Sequence, residues 1–241
     1  MFLHFWKIAM QPTDIYKILY NKFGEQNWWP VDKRYHIKNE SDFRFEIIVG
    51  TILTQNTAWS NVEKAILNIK KSDMLDIKKI LDADIEYLKE IIKPSGFFNQ
   101  KAERLLTISN YLKNNFNSDL DKFFDRETKV IRNELLSLNG IGPETADSII
   151  LYAGNKPVFV VDAYTKRLCE RIPLKTNLTY DDIQNFFEKN LNKKYKSEEI
   201  VNIYNEFHAL IVKLVKDYCK KKPNCNNCPL NNKCNFYKNL F

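Results

Sequence analysis

The sequence predicts an all-α fold with two helical domains. Apolar residues recur at helical spacing along almost the whole chain, as in "SDFRFEIIVGTILTQNT", where Phe43, Ile47 and Ile48 fall on one side. The one clearly extended, β-branched run is "KPVFVV", which predicts at most a few extended residues near 158–161. Helix ends are also marked, because Thr13 is suited to cap the helix "DIYKILYNKF" and Gly24 to end it.

The predicted helices group into two domains. A block of about six helices lies between "WWPVDKRYHIKNE" and "YAGNK" and includes "SNVEKAILNIKK", "DIKKILDADIEYLKEIIK" and "QKAERLLTISNYLKNNF". Neither flanking segment has enough apolar surface to form a core alone, so we expect the two flanks to pack together. The predicted domains are therefore 36–153, and 1–35 together with 154–241, which contains the helix "SEEIVNIYNEFHALIVKLVKDYC".

The positive charge of the chain is concentrated near its C-terminus. The segment 211–241 contributes +6 of a net charge of +7, because it holds seven lysines and one acid. Such a segment suits a polyanionic partner, with an ordinary solvated surface as the alternative. No apolar run approaches the roughly 20 residues that span a membrane. The apolar start "MFLHFWKIAM" lacks the features of a signal peptide and indicates a packed or frayed terminus, so we expect a cytoplasmic protein.

The segment "LNGIGPETADSII" predicts two helices joined by a glycine turn. Gly140 and Gly142 can adopt positive φ and bring the backbone close to a ligand, and Pro143 suits the first position of the second helix. Backbone amides at the start of a helix favour an anion, which makes Gly140, Gly142 and Thr145 candidate contacts. Because neither a Walker lysine nor a preceding strand is present, a DNA backbone phosphate fits better than a nucleotide. A plain helix–helix turn is the alternative.

Four cysteines of the C-terminal segment follow the spacing C-x5-C-x2-C-x5-C, at Cys219, Cys225, Cys228 and Cys234. In a cytoplasmic protein such a cluster is typical of metal ligands rather than disulfides. Four thiolates without a histidine suit a 4Fe–4S cluster, whereas zinc prefers two paired knuckles and is the weaker alternative. The segment has few apolar residues with which to fold otherwise, and a bound metal would order its lysines Lys220, Lys221 and Lys222. The fifth cysteine, Cys169, is predicted to be a core residue.

Together these features resemble the endonuclease III superfamily, the helix-hairpin-helix DNA glycosylases. The resemblance extends from Trp28 to Cys234 and rests on five segments in the family's order: "ILTQNT", "SGFFNQKAERL", "LNGIGPETAD", "VFVVDAYTKR" and the cysteine segment. It implies a six-helix barrel domain that carries the hairpin, and a second helical domain built from both ends of the chain. It also implies that the cysteines hold a 4Fe–4S cluster that supports DNA binding, although the first cysteine spacing is five residues here and usually six in the family.

The resemblance also implies a catalytic role for Asp162, since the family's essential aspartate follows the hairpin in a Val-Asp pair, here Val161-Asp162. Such enzymes flip the damaged nucleotide out of the duplex, and a carboxylate beside the sugar stabilises an oxocarbenium-like cation and orients the attacking water. The alternative role for Asp162 is a helix N-cap, and both roles can hold together. Gln55 matches the residue that fills the space left by the extruded base, with a surface amide at a helix end as its alternative. Asn56 is a further DNA-binding candidate.

Glu144 lies where bifunctional members of the superfamily carry a lysine that forms a Schiff base with the sugar. A carboxylate cannot form this adduct, so the resemblance implies a monofunctional enzyme without AP-lyase activity. The alternative is that Glu144 only stabilises the following helix through its dipole.

The segments "WWP", "TQNTAW", "PSGFFNQKA", "GIGPETADSI" and "EFHALIVK" are most similar to the 3-methyladenine DNA glycosylase branch. In that branch, aromatic residues near the start of the barrel stack on the extruded base. The implied candidates for a base pocket are Trp28, Trp29, Pro30, Trp59, Glu144 and His208. Aromatic residues of helical proteins more often belong to the core, which is the alternative for these side chains.

The identity of the damaged base stays open between an alkylated purine of the 3-methyladenine type and a deaminated base such as uracil. Leu210 stands where the 3-methyladenine branch has a lysine, and that branch can lack the cysteine segment that this chain retains. Superfamily members that carry the cluster remove uracil or mismatched thymine, and His208 or Asn56 would then contact a pyrimidine edge.

Two further classes of function compete with a glycosylase. A non-catalytic helix-hairpin-helix DNA-binding protein would keep the hairpin and the cysteines, but binding alone requires no acid beside the sugar. A metal-dependent nuclease would need clustered carboxylates, and the sequence offers none. We therefore expect a monomeric base excision repair enzyme that binds double-stranded DNA containing a damaged base.

Overall fold

The computed structural model describes residues 10–239, and in this range the chain forms helices and no β-strand. The all-α class predicted from the sequence is confirmed. The interpretation of the apolar start as a packed or frayed terminus falls on residues 1–9 and lies outside the described residues. Within 10–239, no helix combines the length and the apolar character that a membrane crossing requires.

The chain divides into two compact units. One consists of Met1–Trp28 and Pro157–Phe241, which we call the terminal unit, and the other is the central unit, Trp29–Lys156. The sequence analysis drew the boundaries at 35/36 and 153/154. A boundary at 36 would cut through the helix Lys33–Lys38, which lies whole in the central unit.

The helices follow in chain order. The terminal unit begins with α1, Pro12–Phe23. The central unit contains α2 (Lys33–Lys38), α3 (Phe43–Leu53), α4 (Trp59–Lys71), α5 (Ile77–Asp82), α6 (Ile85–Ile92), a 3-10 turn (Lys93–Ser95), α7 (Phe98–Phe116), α8 (Leu120–Phe124), α9 (Thr128–Ser137) and α10 (Pro143–Ser148). The terminal unit then adds α11 (Ala163–Arg171), α12 (Tyr180–Asn192), α13 (Ser197–Asp217), a 3-10 turn (Asn231–Lys233) and α14 (Asn235–Lys238).

Helix α3 lies at the centre of the central unit, since its residues from Phe45 to Leu53 are all buried. Lys101 of α7 closes the C-terminal end of α3. Its buried ammonium group donates hydrogen bonds to the carbonyls of Leu53 and Ser95, both at 2.7 Å, and to the Thr57 hydroxyl at 2.9 Å. These bonds fix the loop 54–58, which joins α3 to α4 and carries Gln55.

The sequence pattern predicted a continuous helix after the glycine turn, but the structure changes from α-helix to π-helix within it. Helix α10 ends at Ser148 and continues as a π-helical turn over Ile149–Ala153. All five residues of this turn are buried, and the turn packs against α3. Turns of this kind are rare and are often found at functional sites.

In the terminal unit, the extended run predicted near 158–161 leads into α11 without forming a strand. Its main-chain groups bond to side chains of α12 instead of to a sheet. The amide of Phe159 donates to Glu188 Oε1 at 2.8 Å, and its carbonyl accepts from Gln184 Nε2 at 2.7 Å. These contacts hold the run extended up to Asp162, the residue that begins the next helix.

Candidate functional site

Asp162 is the N-cap of α11. Its Oδ1 accepts hydrogen bonds from the Thr165 amide at 2.7 Å and from the Thr165 hydroxyl at 2.9 Å. This is the capping role that the sequence analysis gave as the alternative for this residue. Because the cap engages only Oδ1, the carboxylate is held in one orientation while Oδ2 points elsewhere.

His208 of α13 faces this second oxygen. Its Nε2 lies 3.6 Å from Asp162 Oδ2, and both side chains are about nine-tenths buried. Burial raises the pKa of the Asp162 carboxyl, but interactions with His208 and Thr165 outweigh burial and hold this pKa below its ordinary value. Asp162 is therefore an ionised carboxylate at neutral pH, although it is largely removed from solvent. The sequence analysis placed His208 among the base-contacting residues, and the structure brings it to the carboxylate.

The glycine turn uses its two glycines differently. Gly140 has φ +82°, whereas Gly142 is extended at φ −92° and ψ 176°, so the expectation of positive φ holds for Gly140 alone. A Cβ on Gly140 would lie 2.3 Å from Arg104 Nε, whereas a Cβ on Gly142 would meet nothing within 4 Å. Gly140 thus allows the Arg104 side chain to lie against the turn, and Gly142 leaves open space beside the backbone.

Gln55 binds this turn. Its Nε2 donates to the Gly140 carbonyl at 3.1 Å and to the Thr145 hydroxyl at 2.9 Å, and its Oε1 accepts from Arg104 Nη1. The sequence analysis gave a surface amide as the alternative for Gln55, and the structure instead makes it a half-buried link between two loops. Thr145, predicted to contact DNA, is itself buried, and its hydroxyl accepts the bond from Gln55.

Two exposed residues of the central unit have left-handed backbone conformations. Asn56 has φ 53°, and Phe97, at the start of α7, has φ 46° with 62% of its surface exposed. The Thr57 hydroxyl donates to the Ser95 carbonyl, which joins the two loops that carry them. A bulky residue at positive φ is an outlier, so Phe97 is presented to solvent at some conformational cost. Sequence analysis missed Phe97, and its only signal was an aromatic residue directly after a glycine.

The aromatic pocket candidates of the central unit lie together. The ring centroid of Trp29 is 5.1 Å from that of Trp59, nearly edge-on at 88°, and 5.4 Å from that of Tyr152 in the π-helical turn. Trp29 and Trp59 are half-buried and Pro30 is exposed. Trp28, also half-buried, belongs to the terminal unit. Tyr152 is therefore a further member of this aromatic group, and the sequence analysis did not single it out.

Glu144 is exposed in the first turn of α10. An acidic residue in this position is favoured by the helix dipole, which agrees with the alternative role given to it. The Glu144 side chain is a carboxylate and carries no primary amine, so it cannot itself form a Schiff base.

The four cysteines of 219–234 lie close enough to influence one another. Burial raises the pKa of Cys228 to about 11, and the neighbouring thiols of Cys219, Cys234 and Cys225 contribute to the rise. Arg171 of α11 anchors the segment: its Nη1 donates to the Cys219 carbonyl and sulfur, both at 3.1 Å, and its carbonyl accepts from Cys234 Sγ at 3.4 Å. Neighbouring residues of the segment are exposed, namely Lys220, Lys221 and Lys222.

A donor set of four thiols suits a soft metal centre. In the described range 10–239, no three side chains of His, Cys, Asp or Glu form a group with the geometry to hold a metal ion. Cys169, in contrast, is buried in the terminal unit, and burial raises its pKa to about 12. Its prediction as a core residue is confirmed.

The sequence profile of the HhH-GPD superfamily of base excision DNA repair proteins matches residues 49–193, which include the glycine turn and Asp162. The chain belongs to this family. "Putative DNA repair glycosylase MJ1434" of Methanocaldococcus jannaschii is 47% identical over 222 residues, covering 91% of this chain and 94% of that protein. Endonuclease III of Thermotoga maritima is 27% identical over 207 residues, covering 86% and 89%.

Two solved structures are similar to this chain. A 3-methyladenine DNA glycosylase of H. pylori, bound to 1,N6-ethenoadenine, is 32% identical with a TM-score of 0.70, covering 86% of this chain and 98% of that chain. An endonuclease III–DNA complex has a TM-score of 0.72 at 19% identity, covering 96% and 99%, and shares the fold. The predicted superfamily, near the 3-methyladenine branch, is confirmed.

Proposed function

We propose that this protein is a monofunctional DNA N-glycosylase that removes an alkylated purine from double-stranded DNA by hydrolysis. The observation that carries the proposal is the buried, ionised carboxylate of Asp162, fixed by Thr165 and faced by His208. Membership of a base excision repair family supports the reaction class. The H. pylori relative bound to 1,N6-ethenoadenine supports a modified purine as the substrate.

In the proposed reaction, the electron pair of the C1′–N bond leaves with the base, and positive charge develops on the sugar. The Asp162 carboxylate stabilises this charge more strongly in a buried site than it would in water. Because Thr165 occupies Oδ1 with two hydrogen bonds, we assign Oδ2 to the cation and to the attacking water. The water oxygen bonds to C1′, and its proton passes to the carboxylate. A cationic alkylated purine leaves as a neutral base, so little acid assistance is needed.

The second part of the proposal is that the strand remains intact. Glu144 replaces the nucleophilic lysine of bifunctional relatives, so water is the only nucleophile we assign. We expect that borohydride traps no covalent adduct between this enzyme and its damaged duplex, whereas a bifunctional endonuclease III on a duplex with an abasic site, as the positive control, gives a strong adduct. An adduct of comparable yield from this chain would contradict monofunctional hydrolysis.

We further propose that Cys219, Cys225, Cys228 and Cys234 hold a 4Fe–4S cluster, which when bound orders the C-terminal segment and has no redox step in base release. The donor set fits such a cluster, and Arg171 already anchors the segment through Cys219 and Cys234. The exposed lysines of this segment then form an ordered basic patch for phosphate. Iron and acid-labile sulfide in the purified protein, in a ratio near one, would support the cluster, and zinc alone would contradict it.

The proposed DNA contacts are residues of the central unit that are exposed or lie in the loops around the glycine turn. We propose that the turn at Gly140 and Gly142 binds a backbone phosphate, that Asn56 and Phe97 face the duplex, and that the aromatic group of Trp29, Trp59 and Tyr152 supplies stacking surface for the extruded base. Pro30 of the central unit, and Trp28 and His208 of the terminal unit, are kept as separate candidates for contact with the base. Each stacked ring is worth about 1–3 kcal/mol and discriminates little between bases, so stacking alone does not fix the substrate.

The experiment that tests the function uses a set of duplexes that differ in one base: 3-methyladenine, 1,N6-ethenoadenine, uracil opposite guanine, thymine opposite guanine, and an undamaged control. Each duplex is incubated with excess protein and then heated in alkali, which cleaves abasic sites. We expect cleavage of the alkylated purine duplexes after alkali and none before it. Release of uracil or thymine alone would overturn the purine assignment. Release from no duplex, with tight binding retained, would favour a non-catalytic DNA-binding protein.

A further inference from the structure

The carboxamide of Gln55 uses both of its N–H donors, and one hydrogen bond to its oxygen, within the DNA-free protein. An amide side chain has two N–H donors and an oxygen that can accept up to two hydrogen bonds. Both donors of Gln55 are used, on the Gly140 carbonyl at 3.1 Å and the Thr145 hydroxyl at 2.9 Å, and its oxygen accepts from Arg104. The side chain is therefore turned onto the glycine turn and has no bonding capacity left on its nitrogen for another partner.

Arg104 is held in place by the shape of the same turn. A Cβ on Gly140 would lie 2.3 Å from Arg104 Nε and 2.7 Å from its Cδ and Cγ, so the stem of the arginine lies directly on the glycine. Gly140 has positive φ, which disfavours other residues. The arrangement thus depends on three separate parts of the central unit: the loop after α3, helix α7 and the glycine turn.

We infer that Arg104 and Thr145 are positioning residues that hold Gln55 on the glycine turn in the DNA-free protein, and that Gln55 must leave this position before its carboxamide engages DNA. The inference rests on the proposed function, because it concerns a residue assigned to fill the space of an extruded base. The base opposite a vacant position has lost its pairing partner, so its hydrogen-bond donors and acceptors are free to bond to the carboxamide of Gln55. Binding to DNA with a vacant base position therefore exchanges the bonds to the turn for bonds to that base.

This exchange predicts which substitutions strengthen recognition of a vacant site. Thr145→Val keeps the shape of the side chain but removes the hydroxyl that accepts from Gln55, so the DNA-free arrangement loses one bond. The quantity to measure is an affinity ratio: the affinity for a duplex with an unreactive abasic analogue, divided by the affinity for an undamaged duplex. We expect this ratio to rise by about two- to tenfold, which corresponds to the loss of one net hydrogen bond. Thr145→Ser keeps the hydroxyl and should behave like the wild-type protein.

The control that isolates Gln55 is the same substitution made in a Gln55→Ala background. If Thr145 acts through Gln55, Thr145→Val leaves the affinity ratio of the Gln55→Ala protein unchanged. A rise of equal size in both backgrounds would overturn the inference, because the effect would then come from the hairpin itself. An unchanged or lowered ratio in the wild-type background would overturn it as well. The ratio compares two duplexes on one protein, so a general loss of stability does not alter it.

Arg104 is tested in parallel with a pair of variants. Arg104→Met removes the donor to Gln55 together with a positive charge, and Arg104→Lys keeps the charge. Lys113→Met, an exposed residue of the same helix, removes one charge without touching Gln55. We expect Arg104→Met to raise the affinity ratio about two- to tenfold relative to Lys113→Met, with Arg104→Lys in between. Equal ratios for Arg104→Met and Lys113→Met would contradict a positioning role for Arg104.

These measurements are separable from the proposed function. The abasic analogue is not hydrolysed, so the affinity ratio needs no catalysis, whereas base release by the wild-type protein reports on catalysis alone. If the wild-type protein releases no base, the proposed function fails whatever the ratios show. If it releases base and the Thr145 variants give the contradicting ratios, the inference about Gln55 fails and the proposed function stands.

Discussion

Asp162 combines a structural and a proposed chemical task in one carboxylate. Its Oδ1 caps α11 through Thr165, and its Oδ2 faces His208. The cap fixes the orientation of the group and, together with His208, keeps it ionised despite burial. A site of this kind needs no rearrangement to present negative charge to a developing cation, which is the most effective form of electrostatic stabilisation.

Gly50 makes a residue-scale prediction about the aromatic group. A Cβ at this position would lie 2.6 Å from Trp29 Cζ2. Alanine favours a helix over glycine by about 1 kcal/mol, but the rigid indole must move, which costs about 1–3 kcal/mol. We expect Gly50→Ala to lower the free energy of unfolding in urea, with a change in the fluorescence of Trp29. Gly142→Ala, where a Cβ meets nothing within 4 Å, is the steric control, and its effect on stability should not exceed the loss of about 1 kcal/mol expected for a poorer helix N-cap. A Gly50→Ala protein of raised stability would contradict this packing.

The sequence allowed some of these residues to be predicted and not others. Asp162 lies in a Val-Asp pair at a recognisable distance after the hairpin, so its identity was visible locally. The partners of Gln55 were not, because they lie 49, 85 and 90 residues away along the chain. The contact between His208 and Asp162 could not be predicted either, because nothing in the segment around His208 indicates that α13 brings it to Asp162.

At the scale of elements, the helices were predictable because their apolar spacing is regular. The π-helical turn at Ile149–Ala153 was not, since the residues continue the helical pattern and only packing against α3 distinguishes the two geometries. The extended run before Asp162 was predicted from its β-branched residues. Its bonding to side chains of α12 could not be, because Gln184 and Glu188 carry no local signal of that role.

The buried end of α3 makes an element-scale prediction about pH. Burial, with a smaller contribution from Arg104, lowers the pKa of Lys101 to about 8. In the unfolded chain the pKa of Lys101 returns to its higher ordinary value. At a pH between the two pKa values, the unfolded state holds more protons on Lys101 than the folded state does, so the contribution of Lys101 to the free energy of unfolding increases as pH rises. We expect the stability of the wild-type protein relative to Lys101→Met to increase from about pH 7 to about pH 9.5 in urea unfolding. A difference that is constant or falls over this range would contradict the lowered pKa.

At the scale of the molecule, the basic residues are unevenly distributed, with the exposed Lys220, Lys221 and Lys222 in the cysteine segment. If these lysines neutralise DNA phosphates, replacing all three by glutamine reduces the slope of log affinity against log salt by about 0.9 for each phosphate that is no longer neutralised. Three exposed lysines elsewhere in the terminal unit serve as the matched control: Lys189, Lys193 and Lys194. Equal slopes for the two triple variants would show that only net charge matters.

The central claim is that the Asp162 carboxylate performs base release, and the substitution Asp162→Asn tests it most directly. Asparagine is as good an N-cap as aspartate, so the fold and the affinity for an abasic-analogue duplex should be retained. The measurement is the single-turnover rate of base release from a duplex with one alkylated purine, beside that of the wild-type protein. We predict a loss of at least about a hundredfold in this rate, as for removal of one electrostatic group from an active site. An Asp162→Asn protein that binds DNA and releases the base at the wild-type rate would contradict the account.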